Sequence, residues 1–226
     1  LSFVLLAMLP FIAKKAIALL ASRKALQGFD KPDQFDTNLV VIGAGAAGLV
    51  TSYIAAAVKA KVTLIEKHKM GGDCLNYGCV PSKAILRSAK LLSHVARSRE
   101  FGIHSASAEF DFGEVMERVQ QVIRDIEPHD SIERYSGLGV DVVQGEARIT
   151  SPWTVEVNGT TIRSRNIVVA TGGRPFVPPI EGLDQVDYYT SDTLWEMRNK
   201  PEKMVVLGGG PIGCELTQAF ARLGVQ

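Results

Sequence analysis

"TNLVVIGAGAAGLVTSYIAAAVKAKVTLIEK", residues 37–67, decides the fold. Leu39 to Ile42 is an unbroken apolar run, the pattern of a strand buried on both faces. Gly43, Gly45 and Gly48 follow it as G-x-G-x-x-G, and Leu49 to Val58 has helical composition. "KVTLIEK" is a second strand, ending at Glu66, 18 residues past Gly48. Strand, glycines, helix, strand and acid in this order are the dinucleotide-binding fingerprint in its proper context. Gly43 permits the tight turn, Gly45 admits a pyrophosphate and Gly48 lets helix and strand approach. The helix N-terminus offers free N–H groups to the phosphates. Glu66 is placed to accept hydrogen bonds from ribose hydroxyls.

A second copy of the pattern, "KMVVLGGGPIGCELTQAFARLG", occupies residues 203–224. A strand, Met204 to Leu207, is expected to lead into Gly208, Gly210 and Gly213 and then a helix. Two fingerprints imply two dinucleotides. Between them, residues 110–139 read as one long helix with Val115, Val119, Val122 and Ile126 on one face. From Val140 the period changes to that of strands, with Asn158-Gly159 as a hairpin turn. "NIVVATGG" (166–173) reads as a further buried strand ending in glycines. Trp153 and Trp195 are read as packing residues.

The 226 residues carry a net charge of +1, which argues against a nucleic-acid-binding surface. Three cysteines, an odd number, do not form the framework of a small stapled secreted domain. Residues 1–13, "LSFVLLAMLPFIA", are apolar but too short to span a bilayer, which needs roughly 20 such residues. Lys14, Lys15, Arg23 and Lys24 come after that run, the reverse of a signal peptide. The order predicts the end of a membrane helix emerging on the cytoplasmic side, with residues 14–26 as a basic amphipathic helix on the surface; the alternative is an ordinary core helix with a solvated basic face in a cytoplasmic protein. Residues 28–36 form a polar linker broken by Pro32. The expected organisation is 1–36 membrane-proximal, 37–200 binding the first dinucleotide, and 201–226 opening a second nucleotide domain that is cut short.

"GGDCLNYGCVPSK", residues 71–83, sets Cys74 and Cys79 five positions apart. Spacing alone leaves a staple, a metal site, inert thiols and a redox pair open. Zinc would need further ligands that no second cysteine pair supplies, so no metal is expected. The run from Pro81 has strong helical pattern, with Ile85, Leu91, Leu92 and Val95 at helical spacing. Cys79 therefore falls at a helix N-terminus, a setting that activates thiols, and Lys83 lies one turn on.

This motif, shortly after the G-x-G-x-x-G…E unit, resembles the flavin disulfide reductases: the class that includes dihydrolipoamide dehydrogenase, glutathione reductase and mercuric reductase. The resemblance covers residues 38–226, and the wording is nearest to mercuric-reductase-like members. Some of those are fused behind a DedA-type membrane domain. The resemblance implies an α/β fold: a Rossmann-like three-layer FAD-binding domain with a β-meander, then the start of a Rossmann-like NAD(P)-binding domain. It implies FAD held by Gly43, Gly45, Gly48, Glu66, Lys67, Gly72, Ala147, Thr171 and Gly172, and NAD(P)H held by Gly208, Gly210 and Gly213. Electrons would pass from NAD(P)H through flavin to a Cys74–Cys79 disulfide, and on to a small disulfide or thiol-bound metal. Cys79 would face the flavin and Cys74 would attack the substrate. Lys83 and Glu215 would form an ion pair beside the ring, and Cys214 would be a packing residue. A homodimer is implied, in which the partner subunit lends a histidine base.

Asp73 and Tyr77 depart from the family's usual threonine and small aliphatic residue. An acid beside Cys74 is expected to raise that thiol's pKa and to repel anionic substrates.

Overall fold

The structure, a computed structural model, describes residues 2–226. Side chains at positions 1–9, 11, 12, 22 and 23 lie outside the description, and with them most of the expected apolar membrane run.

Four parallel strands carry the molecule: β1 (Thr37–Ile42), β2 (Val62–Glu66), β3 (Val140–Gln144) and the second half of β6 (Thr160–Val169). Their order in the sheet continues as β3-β2-β1-β6-β5-β4, with β4 (Arg148–Ser151) and β5 (Thr154–Val157) antiparallel. β1 is central because its apolar run can be covered on both sides: Val40 and Val41 are both fully buried. A buried side chain of this size is worth roughly 1.5–3 kcal/mol. On one face Val41 and Leu64 meet Leu49 of helix α2 (Ala46–Ala57) and Tyr135 of α6 (Ile132–Gly137). On the other face Val40 and Ile65 meet Val155 and Val157 of the meander. Helix, parallel sheet and meander are the three expected layers. Asn158 and Gly159, at φ +50° and +76°, make the β5–β6 turn with the mirror-image geometry a tight hairpin favours.

β6 serves two sheets. Thr160–Arg163 pairs antiparallel with β5, and Ser164–Val169 pairs parallel with β1. The bidentate Asp36–Arg163 pair (2.8 and 3.0 Å) pins the entrance of β1 to that transition. The end of β6 is less buried than its sequence predicts, and Val169 is 63% exposed.

A third core joins α4 (Cys79–Ala96), α5 (Phe112–Ile126) and α7 (Pro211–Arg222) through Ile85, Met116, Val119 and Phe220. Leu91, expected on the buried face of α4, is 58% exposed because it lies on the side away from Ile85 and Ala89.

Three expectations are corrected. The long helix over 110–139 is instead α5, a 3-10 turn (Glu127–Asp130) and α6. Pro128 cannot donate into a continuing helix, and Ser131 Oγ restarts the chain by accepting from Arg134 N–H at 3.2 Å. Met204–Leu207 is not a sheet strand. The ladder bonds beside it are Met204 N–H to Gln226 O and Gln226 N–H to Glu202 O, and Val205 is 85% exposed. Residues 2–25 form one helix, α1, in which apolar and charged positions are not segregated into faces. The amphipathic surface helix expected over 14–26 is therefore not what forms. No described helix is long and apolar enough to cross a membrane.

Candidate functional site

The glycines after β1 do what their spacing requires. Gly43 has φ +104°, and a Cβ there would lie 2.7 Å from the Ala170 carbonyl carbon. A Cβ at Gly48 would overlap the Gly43 carbonyl, so α2 sits hard against the turn. Gly45 is the extended N-cap of α2 with no side-chain cap, which leaves the first-turn N–H groups free for an anionic ligand. Glu66, at the end of β2, accepts from Ala44 N–H at 2.6 Å and His68 N–H at 2.7 Å. Its carboxylate is thus oriented beside the turn.

The cysteine segment is laid on this same turn. Gly72 opens the short helix α3 (Gly72–Asn76) at φ +53°, and a Cβ on it would stand 2.6 Å from the Gly45 Cα. A side chain at Gly72 would push the two segments apart, whereas a Cβ on Gly45 would stand 3.8 Å from the Gly72 Cα, an ordinary contact. The result is one long cavity of about 1090 Å³, which begins at Glu66, Lys67 and Ala147. It passes Gly43 and Gly45 and ends at Cys74 and the Thr171–Gly172 turn. Lys67 and Glu146 form an exposed 3.3 Å ion pair at its rim. A cradle closed to Cβ atoms, free helix N–H groups and a fixed carboxylate fit an extended dinucleotide such as FAD.

A second cavity, about 460 Å³, adjoins it and shares Asp73, Tyr77, Gly173, Arg174 and Asp192. It contains Cys79, Lys83, Trp195 and Glu215. α4 and α7 pack side by side, and this brings Lys83 Nζ to 2.8 and 2.7 Å from the two Glu215 oxygens. Both side chains are well exposed, so the pair adds at most about 1 kcal/mol to stability.

Cys74 is half-buried and Cys79 exposed, and both are free thiols. Burial, and next the adjoining Cys79 thiol, push Cys74 up to about 11. The acid that contributes is Asp130, in the 3-10 turn, not the expected Asp73. Asp73 Oδ2 points instead to the Gly172 side, 3.6 Å from where a Cβ there would be.

The second glycine turn copies the first. Gly208 has φ +113°, a Cβ at Gly213 would overlap the Gly208 carbonyl, and Gly210 is an extended, uncapped N-cap like Gly45. These three glycines are not part of the long cavity. Cys214 is exposed, not packed, with its thiol 3.4 Å from the Gly209 carbonyl. Among the described residues no cluster of His, Cys, Asp or Glu could hold a metal ion. Sequence reading missed Arg174, Asp192 and the contact of Trp195 described below. None carries a local motif, and the Trp195 contact joins positions 118 residues apart.

Residues 37–226 match the family model described as pyridine nucleotide-disulphide oxidoreductase. A mercuric reductase of Bacillus cereus is 35% identical over 193 residues, covering 85% of this chain and 30% of the relative. A dihydrolipoyl dehydrogenase of Acholeplasma laidlawii is 36% identical over 191 residues, covering 82% and 56%. Among solved structures, the HOCl-induced flavoprotein disulfide reductase RclA from Escherichia coli superposes with a TM-score of 0.70 at 27% identity, covering 84% of this chain and 40% of that one. The chain spans about a third of the length of the first curated relatives it matches.

Proposed function

The chain belongs to the pyridine nucleotide-disulphide oxidoreductase family, whose members work with FAD and NAD(P)H, and from that premise we propose that it carries the redox centre of an FAD-dependent disulfide reductase. The observation that carries the proposal is the contact of Gly72 with Gly45, which seats Cys74 in the same cavity as the phosphate turn.

FAD, when bound, supplies a two-electron carrier between the nicotinamide and the cysteine pair. Gly43, Gly45 and the first turn of α2 would hold its pyrophosphate, Glu66 and Lys67 its ribose end, and Ala147 its adenine. Gly72, Thr171 and Gly172 would hold the end nearest the cysteines. Gly208, Gly210 and Gly213 would bind the NAD(P)H pyrophosphate. Lys83, held by Glu215, would place a cation in the cavity that also contains Cys79. Cys74 is the thiol assigned to the substrate. Held at about 11, it is protonated at neutral pH, so its attack requires a base to take the proton as the new S–S bond forms. Cys79 then displaces the substrate sulfur, closing the Cys74–Cys79 bond and releasing the second thiol. The substrate class is a small disulfide or a thiol-bound metal.

Finer proposals accompany this reading. Residues 37–200 would form the FAD domain and 201–226 the opening of the NAD(P) domain. The whole protein would be a homodimer. Attachment of residues 1–36 to the cytoplasmic side of a membrane rests only on the order of apolar and then basic residues in the sequence.

The test is NAD(P)H oxidation by the FAD-loaded protein with a disulfide or thiol-bound mercuric acceptor. Cys74→Ser is expected to abolish acceptor reduction while leaving reduction of the flavin by NAD(P)H intact. Full acceptor turnover by Cys74→Ser would mean a flavin reductase without thiol chemistry. No NAD(P)H oxidation by the wild type would mean a nucleotide-binding module that is not an enzyme.

A further inference from the structure

Two residues join the helices that carry the cysteines. Tyr77 ends α3, and Gly78 (φ −119°, ψ −102°) starts α4. The backbones of Cys74 and Cys79 are linked through this hinge. Both backbone polar groups of Tyr77 are held. Its N–H donates to the Asp73 carbonyl at 2.8 Å. Its carbonyl accepts from the indole Nε1–H of Trp195 at 2.8 Å.

Trp195 is itself immobilised. It is 3% exposed in the core of α4, α5 and α7. Its carbonyl accepts from Gln120 of α5 and from Arg198, each at 3.1 Å. A buried indole needs a partner for its N–H. Of the two carbonyls in the two-residue link between the cysteine-bearing helices, that of Gly78 accepts from Ser82 N–H at 3.0 Å inside α4, and that of Tyr77 is the indole's partner. Packing alone would not require it. Trp195 also lines the cavity that contains Cys79.

We propose that Trp195 is the positioning residue of the cysteine pair: its indole N–H anchors the Tyr77–Gly78 hinge and keeps the two thiols in bonding range while they are reduced. The proposal rests on the reading of Cys74 and Cys79 as a redox pair. Its direction follows from chain entropy. The disulfide restrains the hinge by itself, whereas the dithiol form depends on the anchor. Without the anchor, the dithiol form gains freedom that ring closure must remove. The disulfide then becomes easier to reduce.

The FAD-loaded protein is equilibrated with glutathione buffers of graded ratio, quenched, alkylated and weighed. Oxidised glutathione takes two electrons from the dithiol. Its S–S bond breaks, the Cys74–Cys79 bond forms, and the two thiol protons end on the two glutathione thiols. Trp195→Phe keeps the apolar bulk and removes the donor. The equilibrium constant for oxidation is expected to fall roughly threefold to tenfold, about 15–30 mV for this two-electron couple. In the reduced wild type, the indole N–H resonance that Trp195→Phe deletes is expected to exchange slowly with solvent. The sequence holds two tryptophans, so Trp153→Phe completes the assignment.

An unchanged constant in Trp195→Phe, with only a lower melting temperature, would reduce Trp195 to a packing residue and overturn the proposal. A rapidly exchanging indole N–H would do the same, and that measurement stands even where Trp195→Phe fails to fold. A wild type that forms no Cys74–Cys79 disulfide in any buffer would sink the redox reading itself. That result differs from an unchanged ratio between variant and wild type.

Discussion

Replacing Gly72 by alanine should separate the cysteine segment from the phosphate turn. Two costs add at this position. The backbone is at φ +53°, where an L side chain costs about 1–2 kcal/mol. The new methyl would also stand 2.6 Å from the Gly45 Cα, which is backbone and cannot rotate away. Forcing extra volume into such a contact costs about 1–3 kcal/mol. The total is roughly 2–5 kcal/mol. At about 2–4 °C per kcal/mol for a chain of this length, that is a fall of roughly 4–20 °C in melting temperature. Gly102 supplies the control. It has φ +76° but nothing within 4 Å of its would-be Cβ, so Gly102→Ala incurs the conformational cost alone. Thermal melts of both variants, and FAD binding followed by quenching of flavin fluorescence, make the comparison. Gly72→Ala is expected to melt well below Gly102→Ala and to lose at least about tenfold in FAD affinity, 1.4 kcal/mol. Gly102→Ala should bind FAD like the wild type. Equal melting temperatures and equal FAD affinity in the two variants would refute the claim that α3 rests on the Gly45 turn.

Arg163, by hydrogen bonding and then by its charge, holds Asp36 down to about 2, so the pair stabilises the protein above the carboxyl's ordinary pKa of 3.8 and ceases to do so as pH falls from there through about 2. Asp36→Asn should therefore lose up to about 1 kcal/mol in urea titrations at pH 7 and only a small part of that at pH 2, the small figure reflecting solvent screening. A loss that persists undiminished at pH 2 would contradict this. The Cys74 thiol, raised from 9.0 to about 11 mainly by burial, keeps its proton longer in the folded than in the unfolded chain. Its contribution to stability is complete below pH 9 and is lost as pH rises through 11, and carboxymethylation of Cys74 in a Cys79→Ser, Cys214→Ser background should accelerate steeply over that window. A rate that levels off by pH 8 would count against the burial. Glu215→Gln should change the melting temperature by no more than about 2–4 °C, because the ion pair with Lys83 is largely exposed. A larger fall would mean that the pair supports the packing of α4 on α7.

The parts of the fold that local chemistry dictates were legible in the sequence. The turn from Gly43 to Gly48 depends on residues five apart, and its copy at Gly208–Gly213 repeats it down to the carbonyl that a side chain would strike. The Asn158-Gly159 hairpin and the apolar runs of β1 and β2 are local in the same sense. Pro128 and Ser131 were visible too, but a helical period on both sides of them masked the break. Met204–Leu207 has strand composition, yet a strand exists only through pairing, and the backbone bond it makes across is that of Met204 N–H to the Gln226 carbonyl. The basic segment after residue 13 has the right residues for a surface helix in the wrong angular order. At the site, the Lys83–Glu215 pair came from resemblance, since nothing local joins residues so far apart. The anchoring of Tyr77 by Trp195 and the pressure of Asp130 on Cys74 depend wholly on how α5 and the turn after it pack, which no motif encodes.

In the proposed function a flavin and the Cys74–Cys79 pair share one site and exchange electrons. Anaerobic reductive titration of the FAD-loaded protein with dithionite tests it most directly. Two electron pairs are expected to be taken up per flavin, with a long-wavelength absorption band appearing midway and absent in Cys79→Ser. Uptake of a single pair, with flavin bleaching directly and no such band, would contradict it.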